Sequence, residues 1–305
     1  MTAWLIKSPL LCLLNAAIAL LLAPLCEGIM RKLRAVIHSR IGPPITQPYW
    51  DLLKLLGKED LRSTAGAVYA SLPAVTLGSA LLLATLVPMG TNAPLAFAGD
   101  MIVVIYVAAM SGVLIMLGGF ASASPYAFIG SSREMMMLLS VEPILAIALS
   151  VGAYKAKTLA VTGIVDWQVQ NGPSISMAIA GIAFFLAMQA VAGKLPFDIA
   201  EADQEIMGGP FVEQSGPRLA LLRWAVWVKQ LVLVFLLVEV FFPWPHAGSL
   251  LLGGVAMLVK VAIVLTLICV IDVVNPRLRI DQAMGYYMRV GFSSLAALAF
   301  AVIGK

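Results

Sequence analysis

The chain has little of what soluble proteins use to meet water. Only 12% of its 305 residues are charged, while 61% are hydrophobic, and mean hydropathy is +0.96. A soluble domain averages about a quarter charged residues. A chain this apolar cannot cover its own surface with polar groups, so lipid must be the solvent for much of it. Histidine is almost missing: His38 and His246 stand alone. The three cysteines, Cys12, Cys26 and Cys269, lie in apolar segments without CxxC spacing. That argues against disulfide, zinc or iron–sulfur ligation and leaves them as small apolar side chains. No long basic run and no basic helix interleaved with stacking aromatics suggests nucleic acid. Gly193-Lys194 is followed by Leu195, so there is no phosphate loop, and HExxH, GxSxG and a GxGxxG after a strand are also missing. No catalytic constellation remains, and the chain is read as non-catalytic, with no cofactor or metal of its own.

What is present is a series of apolar runs. Eight reach the roughly 20 helical residues that a bilayer core of about 30 Å requires: 9–26, 70–89, 101–120, 136–154, 174–193, 219–243, 249–272 and 285–303. Only a helix satisfies its own backbone in lipid, and no alternating pattern suggests a barrel. The expected fold is an all-α integral membrane protein, a single polytopic domain over 1–305 with about eight transmembrane helices. Pro24, Pro143 and Pro243 fall in or at the ends of spans, where they kink or terminate helices. The first run is longer than a signal-peptide core and no Ala-x-Ala follows it, so it reads as a retained span.

Charge sets the orientation. Arg31, Lys32, Arg34, Arg40, Lys54, Lys58, Arg62, Arg133, Lys194, Arg218, Arg223, Arg277, Arg279 and Arg289 gather on one side; Lys7, Lys155, Lys157 and Lys305 lie on the other. Fourteen against four puts the first group in the cytoplasm and both termini outside. The cytoplasmic loops are then about 27–69, 121–135, 194–218 and 273–284. Within the first, 47–58 places Asp51, Lys54 and Lys58 on one face and Trp50, Leu52, Leu53, Leu55 and Leu56 on the other. It is an amphipathic helix at the membrane surface, either lying in the interface or packed under the bundle.

The informative side chains are charges where charge is expensive. Lys229 and Lys260 lie near the middle of the sixth and seventh spans, so each should face the bundle interior and find a partner or water. Buried lysines shift their proton affinity readily, which suits a proton relay; a structural ion pair is the alternative. Glu142 sits inside the fourth span, and Glu239 lies about 15 Å beyond Lys229. Asp272 and Glu27 end spans near the cytoplasm and, with Glu239, read either as partners or as solvated helix ends. The proton-path candidates are thus Glu142, Lys229, Glu239, Lys260 and Asp272. The third cytoplasmic loop is acidic where bases are expected: Asp198, Glu201 and Glu205 at i, i+3, i+7, on one face of a short helix, with Asp203 and Glu213. It reads as a solvated loop, a docking surface or a proton inlet. Arg40, Arg133 and Glu134 join that docking or inlet group.

Residues 31–43 (Arg-Lys-Leu-Arg-Ala-Val-Ile-His-Ser-Arg-Ile-Gly-Pro) and 51–60 (Asp-Leu-Leu-Lys-Leu-Leu-Gly-Lys-Glu-Asp) resemble the first loop of subunit 1 of NADH:quinone oxidoreductase, respiratory complex I. So do Gly130-Ser-Ser-Arg-Glu134 leading to Val141-Glu142-Pro143, Lys194-Leu-Pro-Phe-Asp198, Ala200-Glu-Ala202, Glu213-Gln-Ser-Gly216 and Asn275-Pro-Arg-Leu-Arg-Ile-Asp-Gln282. Gly193-Lys-Leu-Pro-Phe-Asp198, Glu205 with Gly209-Pro210, Trp224 with Lys229-Gln230, and Phe242-Pro-Trp244 bring it nearer the membrane subunit of formate hydrogenlyase and other group 4 nickel–iron hydrogenases. The resemblance implies an eight-helix subunit that fastens a peripheral arm to antiporter-like membrane subunits in the bacterial or archaeal inner membrane. The arm would comprise hydrogenase large and small subunits and an iron–sulfur protein, which would hold the nickel–iron and iron–sulfur centres. One position departs from the pattern: the family's glutamate five residues before the Pro of Pro-Phe-Asp is Val191 here. Two other readings stand beside this one. A quinone-reactive subunit would need a long apolar chamber near Arg40, Gly42 and 47–58; a stand-alone ion transporter would show inverted repeats.

Overall fold

A computed structural model describes residues 2–61, 66–90, 93–244 and 250–304. His246 and position 92, between the second and third expected spans, lie outside them. The chain is a bundle of helices: α1 (Thr2–Ile37), α2 (Gln47–Leu56), α3 (Ala67–Leu86), α4 (Met101–Phe120), α5 (Pro125–Ala156), α6 (Val161–Asn171), α7 (Ile175–Val191), α8 (Asp203–Ile206), α9 (Gly216–Phe241), α10 (Leu250–Val274) and α11 (Ile280–Ile303), with a 3-10 turn at Gly209–Phe211. Among the described residues there is no strand; a lone bridge pairs Asp100 with Ala160 at the heads of α4 and α6.

Seven of these helices are long and apolar enough to cross a membrane, and all seven coincide with expected spans. The remaining expected span is α7, whose 17 residues rise about 25 Å. Several ends differ from expectation. α1 runs on to Ile37, so Glu27, Arg31, Lys32 and Arg34 are helical and the first loop starts at about residue 38. Arg, Lys and Leu are good helix formers, and after Gly28 no glycine or proline comes before Gly42-Pro43. α5 begins at Pro125, a residue suited to the first helical turn. The supposed loop 121–135 therefore shrinks to a few residues, and Arg133 and Glu134 sit on a helix. α6 was not expected, because its polar sequence carries no span signal.

The acidic loop also differs. Helix is confined to Asp203–Ile206, so Asp198, Glu201 and Glu205 share no helical face. Turns at Pro196 and Phe197 break the periodicity before it starts, with Phe197 donating its N–H to the Lys194 carbonyl.

At the centre stands α9, apolar on every side and 83% buried along its span, against 28% for α1, α10 and α11. It packs on α1, α2, α3, α7 and α10, while α5 packs on α4, α7 and α11. Two glycines let α5 approach the loop after α7. A Cβ on Gly130 would stand 2.6 Å from the Gly209 Cα, and one on Gly209, whose φ is +53°, would stand 2.0 Å from the Ala200 carbonyl oxygen. The amphipathic helix α2 turns Pro48 and Leu52 into the bundle and leaves Trp50 and Leu53 outward.

Candidate functional site

The central helix brings Lys229 into the core, where it is 5% exposed. Two internal cavities meet there. The first, between α4, α5, α7 and α9, is apolar apart from Glu142 and Lys229; Val104, Leu145, Phe184 and Leu233 form its walls. The second opens toward the loop after α7 and is lined by Glu134, Glu201, Ala200, Pro210 and again Lys229. It has room for one or two water molecules. Lys229 and Val191 line both cavities.

Glu134 and Glu142 lie two turns apart on α5, and Lys229 feels both carboxylates. Glu142 Oε1 is buried without a hydrogen-bond partner among the described residues. Glu201 feels Glu134 and Asp198 from the loop side. The order Glu201, Glu134, Lys229, Glu142 thus runs from the loop into the bundle. Burial pushes the Glu201 carboxyl up to about 8, helped by the negative charges of Asp198 and Glu134 and opposed by Arg223 and Lys194. Glu134, expected in the docking or proton-inlet group, lies on this inner line.

The other candidates fall into separate groups. Asp272 is buried, ion-paired to Arg34, and accepts the Leu195 N–H at 3.0 Å. Glu27 meets Lys194 at 2.8 Å and Arg31 at 3.2 Å. Both acids therefore clamp α1, α10 and the loop after α7, and neither is a solvated helix end. Lys260 bends away from the bundle centre to donate to the Pro243 carbonyl at 2.7 Å, close to Glu239, which accepts the Gly90 N–H at 3.2 Å. The two intramembrane lysines therefore do not share a site.

In the third loop, Asp198 pairs with Arg277 at 2.8 Å and Glu205 with Arg133 at 2.8 Å. Burial raises Asp198 despite its arginine, whereas the Arg133 hydrogen bond lowers exposed Glu205. Asp203 is exposed, the Glu213 carbonyl receives the Tyr69 hydroxyl at 3.1 Å, and Arg40 is exposed beyond α1. Sequence reasoning missed Arg34 and Lys194 as partners of span-end acids, and missed Val191 as a wall of both cavities. Among the described residues no group of three His, Cys, Asp or Glu could hold a metal ion.

An α-helical bundle that encloses ionisable side chains around one central helix defines a multi-pass integral membrane protein with a charged core. Comparison with known proteins supplies the family. The family described as NADH dehydrogenase matches residues 10–303. The chain is 36% identical over 280 residues to formate hydrogenlyase subunit 4 of Escherichia coli (strain K12), covering 88% of this chain and 91% of that protein. It is 35% identical to hydrogenase-4 component C of the same organism, over 94% of this chain and 93% of that one. A subunit of the NADH-quinone oxidoreductase of Syntrophobacter fumaroxidans (strain DSM 10017 / MPOB) is 29% identical over 292 residues, 90% of this chain and 88% of that one. A chain of the membrane-bound sulfane sulfur reductase, an archaeal respiratory membrane complex, superposes with a TM-score of 0.90 at 30% identity, over 97% of this chain and 99% of that chain. The chain belongs to the NADH dehydrogenase subunit 1 family, and it is a complex I-like membrane subunit.

Proposed function

We propose that this chain is the membrane-anchor and proton-path subunit of a group 4 hydrogenase-type complex. It docks a peripheral arm of hydrogenase large and small subunits and an iron–sulfur protein on the cytoplasmic side, adjoins antiporter-like membrane subunits, and keeps both termini outside the bacterial or archaeal inner membrane. The names of the two Escherichia coli relatives support the hydrogenase assignment. Redox chemistry belongs to the arm, whose subunits hold the nickel–iron and iron–sulfur centres.

The observation that carries the coupling role is Lys229, buried where two cavities meet and facing carboxylates on both sides. A charge at such depth is costly unless it is used or paired. Glu201, largely protonated at neutral pH, takes a proton from the cytoplasmic side. It passes the proton through Glu134 toward Lys229, whose protonation then answers to Glu142. A small change of charge near the loop is enough to tip this balance, because the wall around Lys229 is apolar. Asp272 and Glu27 hold the loop in place, and Glu239 and Lys260 form a second charged site near the outer end of the bundle.

The test is Lys229→Met in the assembled complex. Dye-linked turnover of the arm should stay within about twofold, while proton uptake per electron in sealed vesicles should fall at least about tenfold, the scale of one lost proton-transfer group. Normal proton uptake per electron would refute the role. Lys260→Met should do less, because its ammonium lies outside the inner line.

A further inference from the structure

A pocket at the junction of α1, α2 and α9 differs in character from the two inner cavities. It encloses about 640 Å³, part of it open to solvent, and is lined by Arg31, Lys54, Lys58 and Arg223 against a single acid, Asp51. Asp51 is already engaged: it accepts from Arg31 at 2.8 Å and from Gln47 at 3.0 Å. Lys54 stands on α2, Lys58 lies just past its C-terminal end, and Arg223 approaches from α9, so the pocket carries a surplus of positive charge. Leu55, Leu219 and Trp227 form the apolar part of its wall.

This is also where a quinone chamber would have to open, near the 47–58 helix, and the residues do not fit one. A neutral ring on a long apolar tail would leave Lys54, Lys58 and Arg223 with no anion in the pocket but Asp51, which Arg31 already engages. An anionic head fits. The tail side fits as well, because α2 presents Trp50 and Leu53 outward, 63% and 59% exposed. Cations beside outward apolar side chains on a surface helix match an amphiphile with a charged head and acyl chains.

We propose that this pocket binds the phosphate of an anionic phospholipid of the cytoplasmic leaflet, with its acyl chains lying along α2. Lys54 and Lys58 supply the charge, Arg223 closes the inner side, and Arg31 is held in position by Glu27 and Asp51. The lipid would seal the cleft between the surface helix and the central helix, a place that would otherwise admit water toward Glu201 through Arg223.

The complex, purified and depleted of lipid, is placed in nanodiscs of phosphatidylcholine with a minor share of phosphatidylglycerol, and retained phosphatidylglycerol is counted by native mass spectrometry. The wild type should retain at least one molecule. Affinity should fall roughly fivefold for Lys58→Gln and about thirtyfold for Lys54→Gln with Lys58→Gln, taking about one unit of lipid attraction per cation. Lys54→Arg with Lys58→Arg should restore it, separating loss of charge from loss of assembly; if the double glutamine variant fails to assemble, the single variant and the arginine pair decide. Equal retention by all variants overturns the proposal. So does displacement of the lipid by millimolar inorganic phosphate, which would make this a site for a soluble anion. Release of a protein subunit from the glutamine variants with unchanged lipid count overturns it too, since the cations would then meet a protein.

Discussion

Glu201 is the side chain whose chemistry is most exposed to test. Its protonated form is the one the fold favours, because its value in the folded chain lies above that of an exposed glutamate. Such a group weighs nothing against stability in acid, where it is protonated folded or unfolded. The penalty grows as pH rises from the usual glutamate range toward about 8 and is constant beyond it. Infrared difference spectra should show a protonated-carboxyl band that fades as pH rises through about 8, and Glu201→Gln should lack it. A band that titrates near the ordinary glutamate value would contradict the burial described here. In sequence, Lys229 and Glu142 stood out singly because charge in an apolar run is rare. Their meeting, and the arrival of Glu134 and Glu201 beside them, depended on how α5, α9 and an irregular loop pack, and no local pattern records that. Lys260 shows the converse: a mid-span position says nothing about where a four-carbon stem carries its ammonium.

Among the elements, α1 is held to its neighbours by charge as much as by packing. Glu27 neutralises Lys194 from the third loop and Arg31 on its own helix, while Asp272 of α10 takes Arg34 and the Leu195 N–H. Removing one member leaves unequal remnants. Glu27→Gln deserts two cations, of which Arg31 keeps Asp51; Lys194→Met leaves Glu27 with Arg31. Glu27→Gln should therefore cost more, about 2–3 kcal/mol after allowance for partly exposed partners, against roughly 1 for Lys194→Met. Detergent thermal-unfolding midpoints of the two variants check the order, and equal shifts would argue against the clamp. Spans were readable from hydropathy alone, since lipid tolerates little else. Their ends were not, because the charged residues that signal an interface are also good helix formers: Arg31 to Arg34 and Arg133-Glu134 extend helices that the charge pattern had closed.

For the molecule as a whole, the two sides of the bundle differ in kind. The ion pairs of α1, α5, α10 and the third loop gather on one side, whereas the other holds α6 and the Lys260 and Glu239 pair. In the orientation proposed, a single cysteine at Asn171, exposed at the end of α6, should react with an impermeant reagent from outside intact cells. A cysteine at Lys58 should react only after the membrane is opened. Reaction of position 58 in intact cells would invert the topology and move Glu201 to the opposite side from the arm.

The central place of α9 bears on how the chain is made. Synthesis runs from the N-terminus, so α1, α3, α4, α5 and α7 all leave the ribosome before the helix they surround. Until residue 241 emerges, α1, α3 and α7 lack the helix they pack on, and Glu134 and Glu142 wait without Lys229. The lysine in turn meets an already assembled ring of helices rather than bare lipid. Late arrival of the keystone makes insertion of the first half a provisional state, one that the membrane insertion machinery must shelter until the sixth crossing locks it.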